Sequence, residues 1–310
     1  MILEFNVLIT TQMMIHDQER FSTWLNKLGC NAHFVMNDQF LRESQCLELT
    51  DCYDGWIAGD DQITSAVIDH LNPKLKVISK WGSGIDSIDL DYAKLVDLTV
   101  VNSPGAFQDS VGEMAVGYLL ALTRGLVHTH KEVLNFRWPK LRYRTLVGMK
   151  IGIVGFGAIG RGVASRLKSF GCDISYSDPN VDDINYTKQD LIDLVASNEA
   201  IIITCALNES TRGLFDSQMF DKMSENSYLI NVSRGPIVNE SALLLFLREG
   251  KFAGVALDVY EVEPLAISNQ LREFGNIIFG SHNANNTVDA VEFVHKNTID
   301  ELIKNLKKNI

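Results

Sequence analysis

Proline is scarce, six in 310 residues, and long apolar runs are missing. No stretch approaches the roughly 20 residues that a membrane helix needs. These two shortages leave no place for a proline-rich linker or a bilayer span. Cysteine is also sparse: Cys30, Cys46, Cys52, Cys172 and Cys205 are an odd number, and no two form a Cys-x-x-Cys pair. A small disulfide framework is thereby excluded, and reduced thiols in a cytoplasmic protein are expected. Basic residues are outnumbered, 28 against 39 acidic, for a net charge of −11. So acidic a chain is not expected to bind nucleic acid or an anionic membrane in general. The N-terminus lacks a basic n-region, carries Glu4 early and soon reads Asp17-Gln18-Glu19-Arg20, which does not describe a signal peptide. His128 and His130 are two apart and would point to different faces of a helix, so no metal site is expected.

What is present describes a folded chain. Hydrophobic residues make up 46% and charged residues 22%, and division of the length by about 150 suggests two domains. Short apolar runs alternate with helical patterns. Strands are predicted at Phe5–Ile9, Ala32–Val35, Gly55–Ala58, Lys76–Ser79 and Thr99–Val101. Phe21, Trp24, Leu25 and Leu28 line one helix face, and Gly29 is a natural stop. A second helix is predicted near Ile63 to Leu71. Strands separated by such helices imply βαβ units and a parallel sheet. Pro104-Gly105 breaks the rhythm, and Ser110 to Gly125 follows as a strongly apolar helix, placed at a domain junction. A second α/β run starts at Lys150, with strands at Ile151–Val154, Ile174–Tyr176, Ala200–Ile203, Tyr228–Val232, Val255–Asp258 and Ile277–Phe279. A last helix is expected from about Val288 to Lys308.

Gly155-Phe156-Gly157-Ala158-Ile159-Gly160 has the pattern G-x-G-x-x-G. Glycines cluster in many turns, so context decides. This turn follows an apolar strand and opens a helix lined by Ile159, Val163, Leu167 and Phe170. Gly171 ends that helix, and Asp178 stands at the end of the next strand, at the distance the dinucleotide motif requires. Gly155 permits the tight turn, Gly157 lets a pyrophosphate approach, and Gly160 lets helix and strand pack closely. The helix start at Ala158 and Ile159 offers N–H groups to the phosphates. Asp178 suits ribose hydroxyls and repels a 2′-phosphate, and Pro179-Asn180-Val181 contains no cation to hold one. NAD is therefore expected over NADP.

Further segments resemble one family. Ser79-Lys80-Trp81-Gly82-Ser83-Gly84-Ile85-Asp86-Ser87-Ile88-Asp89, Val101-Asn102-Ser103-Pro104-Gly105 and Val111-Gly112-Glu113 precede the glycine turn. Thr211-Arg212-Gly213-Leu214, Asn231-Val232-Ser233-Arg234-Gly235, Ala256-Leu257-Asp258-Val259-Tyr260, Glu263-Pro264 and Ser281-His282 follow it. In this order, and over nearly the whole chain, they resemble the D-isomer-specific 2-hydroxyacid dehydrogenases, most closely the short phosphoglycerate dehydrogenases. The resemblance implies an α/β protein of two doubly wound parallel-sheet domains. A flavodoxin-like substrate domain would span 1–101 and be completed by 286–310; a Rossmann NAD-binding domain would span 102–285. It further implies an active site in the cleft between the domains, a homodimer formed through the NAD-binding domain, and a small anionic 2-hydroxy or 2-keto acid as substrate.

Hydride chemistry on such an acid needs a group to hold the carboxylate, a carrier for the hydroxyl proton and a group to tune that carrier. Arg234 offers a permanently charged fork at the C-terminal end of a strand. His282 titrates near neutrality, and Glu263 would fix its tautomer. By family analogy Arg234 also polarises the reacting carbonyl, and the N–H groups of Ser83 and Gly84 bind the carboxylate. Lys80 or Trp81 is expected either to help recognise a second anionic group or to serve packing. The same analogy assigns Cys205, Val232 and Asp258 to the cofactor, Asp258 at the nicotinamide carboxamide. Two departures stand out. Thr204-Cys205-Ala206 occupies the place of a common His-Xaa-Pro, and Ser281 replaces the usual proline before the histidine. A glyoxylate or hydroxypyruvate reductase, a relative acting on formate or phosphite, and a non-catalytic NAD-sensing protein stay open as alternatives.

Overall fold

A computed structural model describes residues 4–309, with the side chain of 309 left aside. The chain divides after Ala106 and again after Asn286 into two compact units. The first contains β1 (Phe5–Ile9), α1 (Gln12–Ile15), α2 (Gln18–Lys27), β2 (Cys30–Phe34), α3 (Glu43–Cys46), β3 (Gly55–Ala58), α4 (Ser65–Leu71), β4 (Val77–Lys80), α5 (Leu90–Leu95) and β5 (Thr99–Val101). The second contains α6 (Gln108–Thr123), α7 (Leu126–Leu134), β6 (Lys150–Val154), α8 (Ala158–Ser169), β7 (Asp173–Ser177), β8 (Thr187–Lys188), α9 (Leu191–Ser197), β9 (Ala200–Ile203), α10 (Ser217–Lys222), β10 (Ser227–Asn231), α11 (Glu240–Arg248), β11 (Phe252–Leu257) and β12 (Ile277–Phe279). The long α12 (Val288–Leu306) then returns to the first unit.

The first unit is built on a five-stranded sheet in the order β2-β1-β3-β4-β5, every pair parallel. This is the flavodoxin-like order. Parallel sheets bury both faces, which explains why β3 and β4 are buried along their whole length. α12 covers β3, β4 and β5. At the base of the core, the Trp56 indole donates to Thr10 Oγ1 at 2.8 Å, and that hydroxyl donates to Asp61 at 2.5 Å. The backbone N–H groups of Leu41 and Gly59 also donate to Asp61. Burial pushes this carboxyl above its ordinary range, and the Thr10 hydroxyl with the two backbone N–H groups supplies the bonds that its desolvation requires.

The edge strand β2 starts at Cys30, two residues before the apolar run that marks it in sequence. Asn31 extends it: its side-chain amide reaches Asn6 Oδ1 at 3.2 Å and His33 Nε2 at 2.8 Å, a polar ladder that an edge tolerates. Residues 102–106 belong to the first unit because Ser103 N donates to Gly82 O and Asn297 Nδ2 donates to Ser103 Oγ, each at 2.8 Å.

The second unit is a seven-stranded parallel sheet in the order β12-β11-β10-β9-β6-β7-β8. Counted from β6, that is the Rossmann order extended by one strand. The winding direction reverses between β6 and β9, and ligands bind beyond the carboxyl ends of strands at such a switch point. The central β9 is fully buried and reads Ala-Ile-Ile-Ile. α6 opens this unit and packs on α8, β10 and β11. Its contact with α8 is backbone-close: a Cβ on Gly162 would stand 2.6 Å from Gln108 O.

Candidate active site

The glycine turn lies at the switch point. Gly155 has φ +88, and a Cβ there would meet the Cys205 Cα at 2.4 Å. Both conditions require glycine. A Cβ on Gly160 would meet Gly155 O at 2.3 Å, so strand and helix could not close. Gly157 has nothing within 4 Å of where its Cβ would be. A side chain there would fill the cradle in front of α8. No side chain caps α8, whose N-cap is Gly157 itself. The N–H groups of its first turn, from Ala158, Ile159 and Gly160, therefore stay available to an anion. Asp178 stands at the same turn, with Oδ2 accepting from Phe156 N at 2.7 Å and Oδ1 from Asn180 N at 2.8 Å. An open cradle, an uncapped helix start and a half-buried carboxylate beside them fit a dinucleotide with free ribose hydroxyls.

The residues at the end of β9 brace this turn. Thr204 Oγ1 donates to Gly155 O at 2.6 Å, and Thr204 N donates to Val154 O at 2.8 Å. Cys205 packs against Gly155, and its carbonyl accepts from Ser233 Oγ. Burial pushes the Cys205 thiol up to about 11, so it stays protonated at neutral pH. Sequence reasoning took Thr204 only as a departure from a family pattern. Its hydroxyl proves to be a brace, and only the fold reveals the partner.

A second cluster lies along the carboxyl ends of three neighbouring strands, β10, β11 and β12. Val232 and Arg234 follow β10. The Asn231 side chain shapes this stretch, accepting from Ser233 N at 3.1 Å and donating to Arg234 O at 3.0 Å. The half-buried Arg234 guanidinium donates from Nη1 to Ser233 O at 3.0 Å. Gly235 fixes the approach of β10 to β11, since a Cβ there would fall 1.8 Å from the Tyr260 carbonyl.

Glu263 follows β11 and His282 follows β12. His282 Nδ1 lies 2.7 Å from Glu263 Oε2. The other oxygen, Oε1, accepts from Tyr260 N at 2.9 Å, so the carboxylate is held at both ends. A carboxylate facing Nδ1 assigns the proton to that nitrogen and leaves Nε2 as the acceptor. The imidazole is 25% exposed and Glu263 16%, so solvent or substrate reaches the ring while its orienting acid is largely covered. Asp258 lies inside the wall, 1% exposed. Its Oδ1 accepts from the Tyr118 hydroxyl at 2.9 Å and its Oδ2 from Ala284 N at 3.0 Å.

Lys80, Ser83 and Gly84 belong to the first unit, at and just beyond the end of β4. Ser83 and Gly84 are partly exposed in a turn held by Asn102, whose Nδ2 donates to Ser83 O at 2.7 Å. Lys80 is buried, 4% exposed, with its ammonium 3.0 Å from Asp60 Oδ1 and 3.0 Å from Trp81 O. Behind this turn the Trp81 indole donates to His295 Nδ1 at 3.1 Å.

Comparisons with known proteins place the chain in a family. Residues 116–284 match the family model described as D-isomer specific 2-hydroxyacid dehydrogenase, NAD binding domain. A glyoxylate reductase of Thermofilum pendens is 36% identical over 259 residues, 80% of this chain and 76% of that protein. The crystal structure of a NAD-dependent formate dehydrogenase from Staphylococcus aureus in complex with NAD superposes with a TM-score of 0.85 at 28% identity, covering 96% of this chain and 94% of that one. The D-lactate dehydrogenase of Aquifex aeolicus, complexed with NAD and lactic acid, shares the fold with a TM-score of 0.86 at 24% identity, covering 98% and 96%. The chain therefore belongs to the D-isomer specific 2-hydroxyacid dehydrogenases, a family of NAD-dependent oxidoreductases.

Proposed function

We propose that the protein interconverts a small D-2-hydroxy acid and its 2-keto acid, with Arg234, Glu263 and His282 as the catalytic set. The observation that carries this reading is the 2.7 Å contact between His282 Nδ1 and Glu263 Oε2 on a ring that is 25% exposed, which assigns the proton to Nδ1. NAD, when bound, supplies the hydride acceptor or donor for C2. His282 Nε2 takes the hydroxyl proton in oxidation and returns it to the carbonyl oxygen in reduction. Glu263 stabilises the imidazolium formed in between, as carboxylates do behind catalytic histidines. Arg234 binds the carboxylate and polarises the carbonyl. Gly155, Gly157, Ala158, Ile159, Gly160 and Asp178 hold the pyrophosphate and adenosine ribose. Cys205, Val232 and Asp258 form the nicotinamide end. Ser83 and Gly84 offer N–H groups to the substrate.

Two readings divide the substrate. The motifs around residues 79–89 resemble those of phosphoglycerate dehydrogenases, in which case Lys80 meets a phosphate. The Asp60 carboxylate on Lys80 favours the other reading, a glyoxylate- or hydroxypyruvate-type acid without a second anion. An NADH-oxidation panel tests this: glyoxylate and hydroxypyruvate are expected to exceed 3-phosphohydroxypyruvate in kcat/KM. The reverse order would return the assignment to the phosphorylated acid.

The five free cysteines suit a reducing, cytoplasmic setting. A homodimer is supported by α7, which has no buried residue and ends on the exposed Leu134, and by the chain beyond it, where Phe136 and Trp138 are exposed. Apolar groups this large and this close together are uncommon on a monomer surface and suit a second copy of the chain. Light scattering is expected to report a dimer, and the Phe136→Ser/Trp138→Ser double variant a monomer. A monomeric parent protein would remove the proposal.

A further inference from the structure

His282 has φ +54, one of the few non-glycine residues here in the left-handed region. Histidine enters that region at a cost, and the surroundings must hold it there. What holds it is Asp258. The His282 N–H donates to the Asp258 carbonyl at 2.7 Å. Asn283 N and Ala284 N donate to the two carboxylate oxygens at 3.3 and 3.0 Å. The loop after β12 is thus wrapped around a single buried acid.

The acid has its own support. Tyr118, in the middle of α6 and 8% exposed, donates its hydroxyl to Asp258 Oδ1 at 2.9 Å. Gly280 makes room for this pair: a Cβ there would fall 2.1 Å from Asp258 Oδ1 and 2.2 Å from the Tyr118 hydroxyl. Burial, and then the charge of Asp258, push the Tyr118 hydroxyl far above the ordinary tyrosine range, so it remains a donor at every working pH. Tyr260 closes the other side. Its hydroxyl lies 2.8 Å from Gly280 O and 2.9 Å from Leu257 O. The helix that carries Tyr118 packs against α8, the helix of the phosphate-binding turn.

We infer that Tyr118 is a positioning residue for His282: through Asp258 it holds the imidazole on Glu263 and so sets the ring's proton affinity. The inference rests on the proposed role of His282, but its first readout does not use catalysis. Without the hydroxyl, Asp258 Oδ1 keeps only the long 3.3 Å bond to Asn283 N. The carboxylate turns, the loop loosens and the imidazole spends less time on Glu263. Its imidazolium form is then less favoured.

The test is Tyr118→Phe in the full chain. NMR titration of His282 without cofactor is expected to show a pKa lowered by about half a unit or more. In keto-acid reduction, which needs the protonated ring, the basic limb of kcat/KM moves to lower pH by the same amount. kcat falls about tenfold. Should Tyr118→Phe fold poorly, Gly280→Ala wedges the same contact from the other side and is expected to shift the titration in the same direction. An unmoved titration and limb, with only a lower melting temperature, would reduce Tyr118 to a packing residue. Separately, a moved titration with full activity in His282→Ala would uphold the positioning and remove the proposed catalytic role.

Discussion

Two loops at the carboxyl edge of one sheet are built on opposite physics. The turn after β6 is shaped by what cannot fit: Gly155 and Gly160 are fixed by distances of 2.4 and 2.3 Å from an imaginary Cβ to neighbouring backbone. The loop after β12 is shaped by what must bond: His282 is kept left-handed by donors converging on Asp258. A steric constraint leaves its mark at the constrained residue itself, as glycine. A polar constraint is spread over residues far apart in the chain, here Tyr118, Asp258 and Ala284. The first loop therefore tolerates no substitution at Gly155 or Gly160, while the second degrades in steps.

The largest effect is expected at the steric loop. Gly155→Val puts a branched side chain into Cys205 with φ at +88, and NAD affinity by calorimetry should fall by more than about 10²-fold. Affinity near that of the parent chain would show that the turn opens elsewhere. Next, Glu263→Gln keeps the shape but loses the charge behind His282. kcat should fall about 10²-fold with the cofactor still bound. Thr204→Val removes the hydroxyl bond to Gly155 O and should weaken NAD only about three- to tenfold, the worth of about one hydrogen bond. A loss as large as that of Gly155→Val would mean that the glycine turn is held by hydrogen bonds rather than sterics.

The smallest effect lies in the first unit and concerns stability. Burial lowers the pKa of His295, against the pull of Glu292, with Arg20 lowering it and Asp17 raising it further. The folded chain thus favours the neutral ring that accepts from Trp81. The unfolded chain binds the proton first, near pH 6.5. This contribution is full above that pH and is lost as the pH falls towards the lowered folded value. Thermal melts from pH 7.5 to 5 should therefore fall less steeply for His295→Gln than for the parent chain. Parallel curves would place the acid sensitivity elsewhere.

Much of this was legible in sequence. The fully buried strands announced themselves, because a strand covered on both faces reads as a mostly apolar run, as Ala200–Ile203 shows. β8 did not: Thr187-Lys188 is exposed on both sides and carries no pattern. α7 escaped for a related reason, since nothing in it is buried. At the site, Gly155 and Gly160 were readable because steric limits select one residue type, and Gly157 because an open cradle is what a pyrophosphate needs. The motifs pointed to Arg234, Glu263 and His282. Nothing in the sequence marked Tyr118, which sits in an apolar helix and resembles any other core residue until Asp258 is found beneath it.

The central claim is that His282 carries the proton, and one comparison tests it most directly. His282→Ala should bind NAD with unchanged affinity in calorimetry, while kcat for reduction of its best keto acid drops about 10²- to 10⁴-fold. A variant that binds NAD normally and turns over within about threefold of the parent would contradict it.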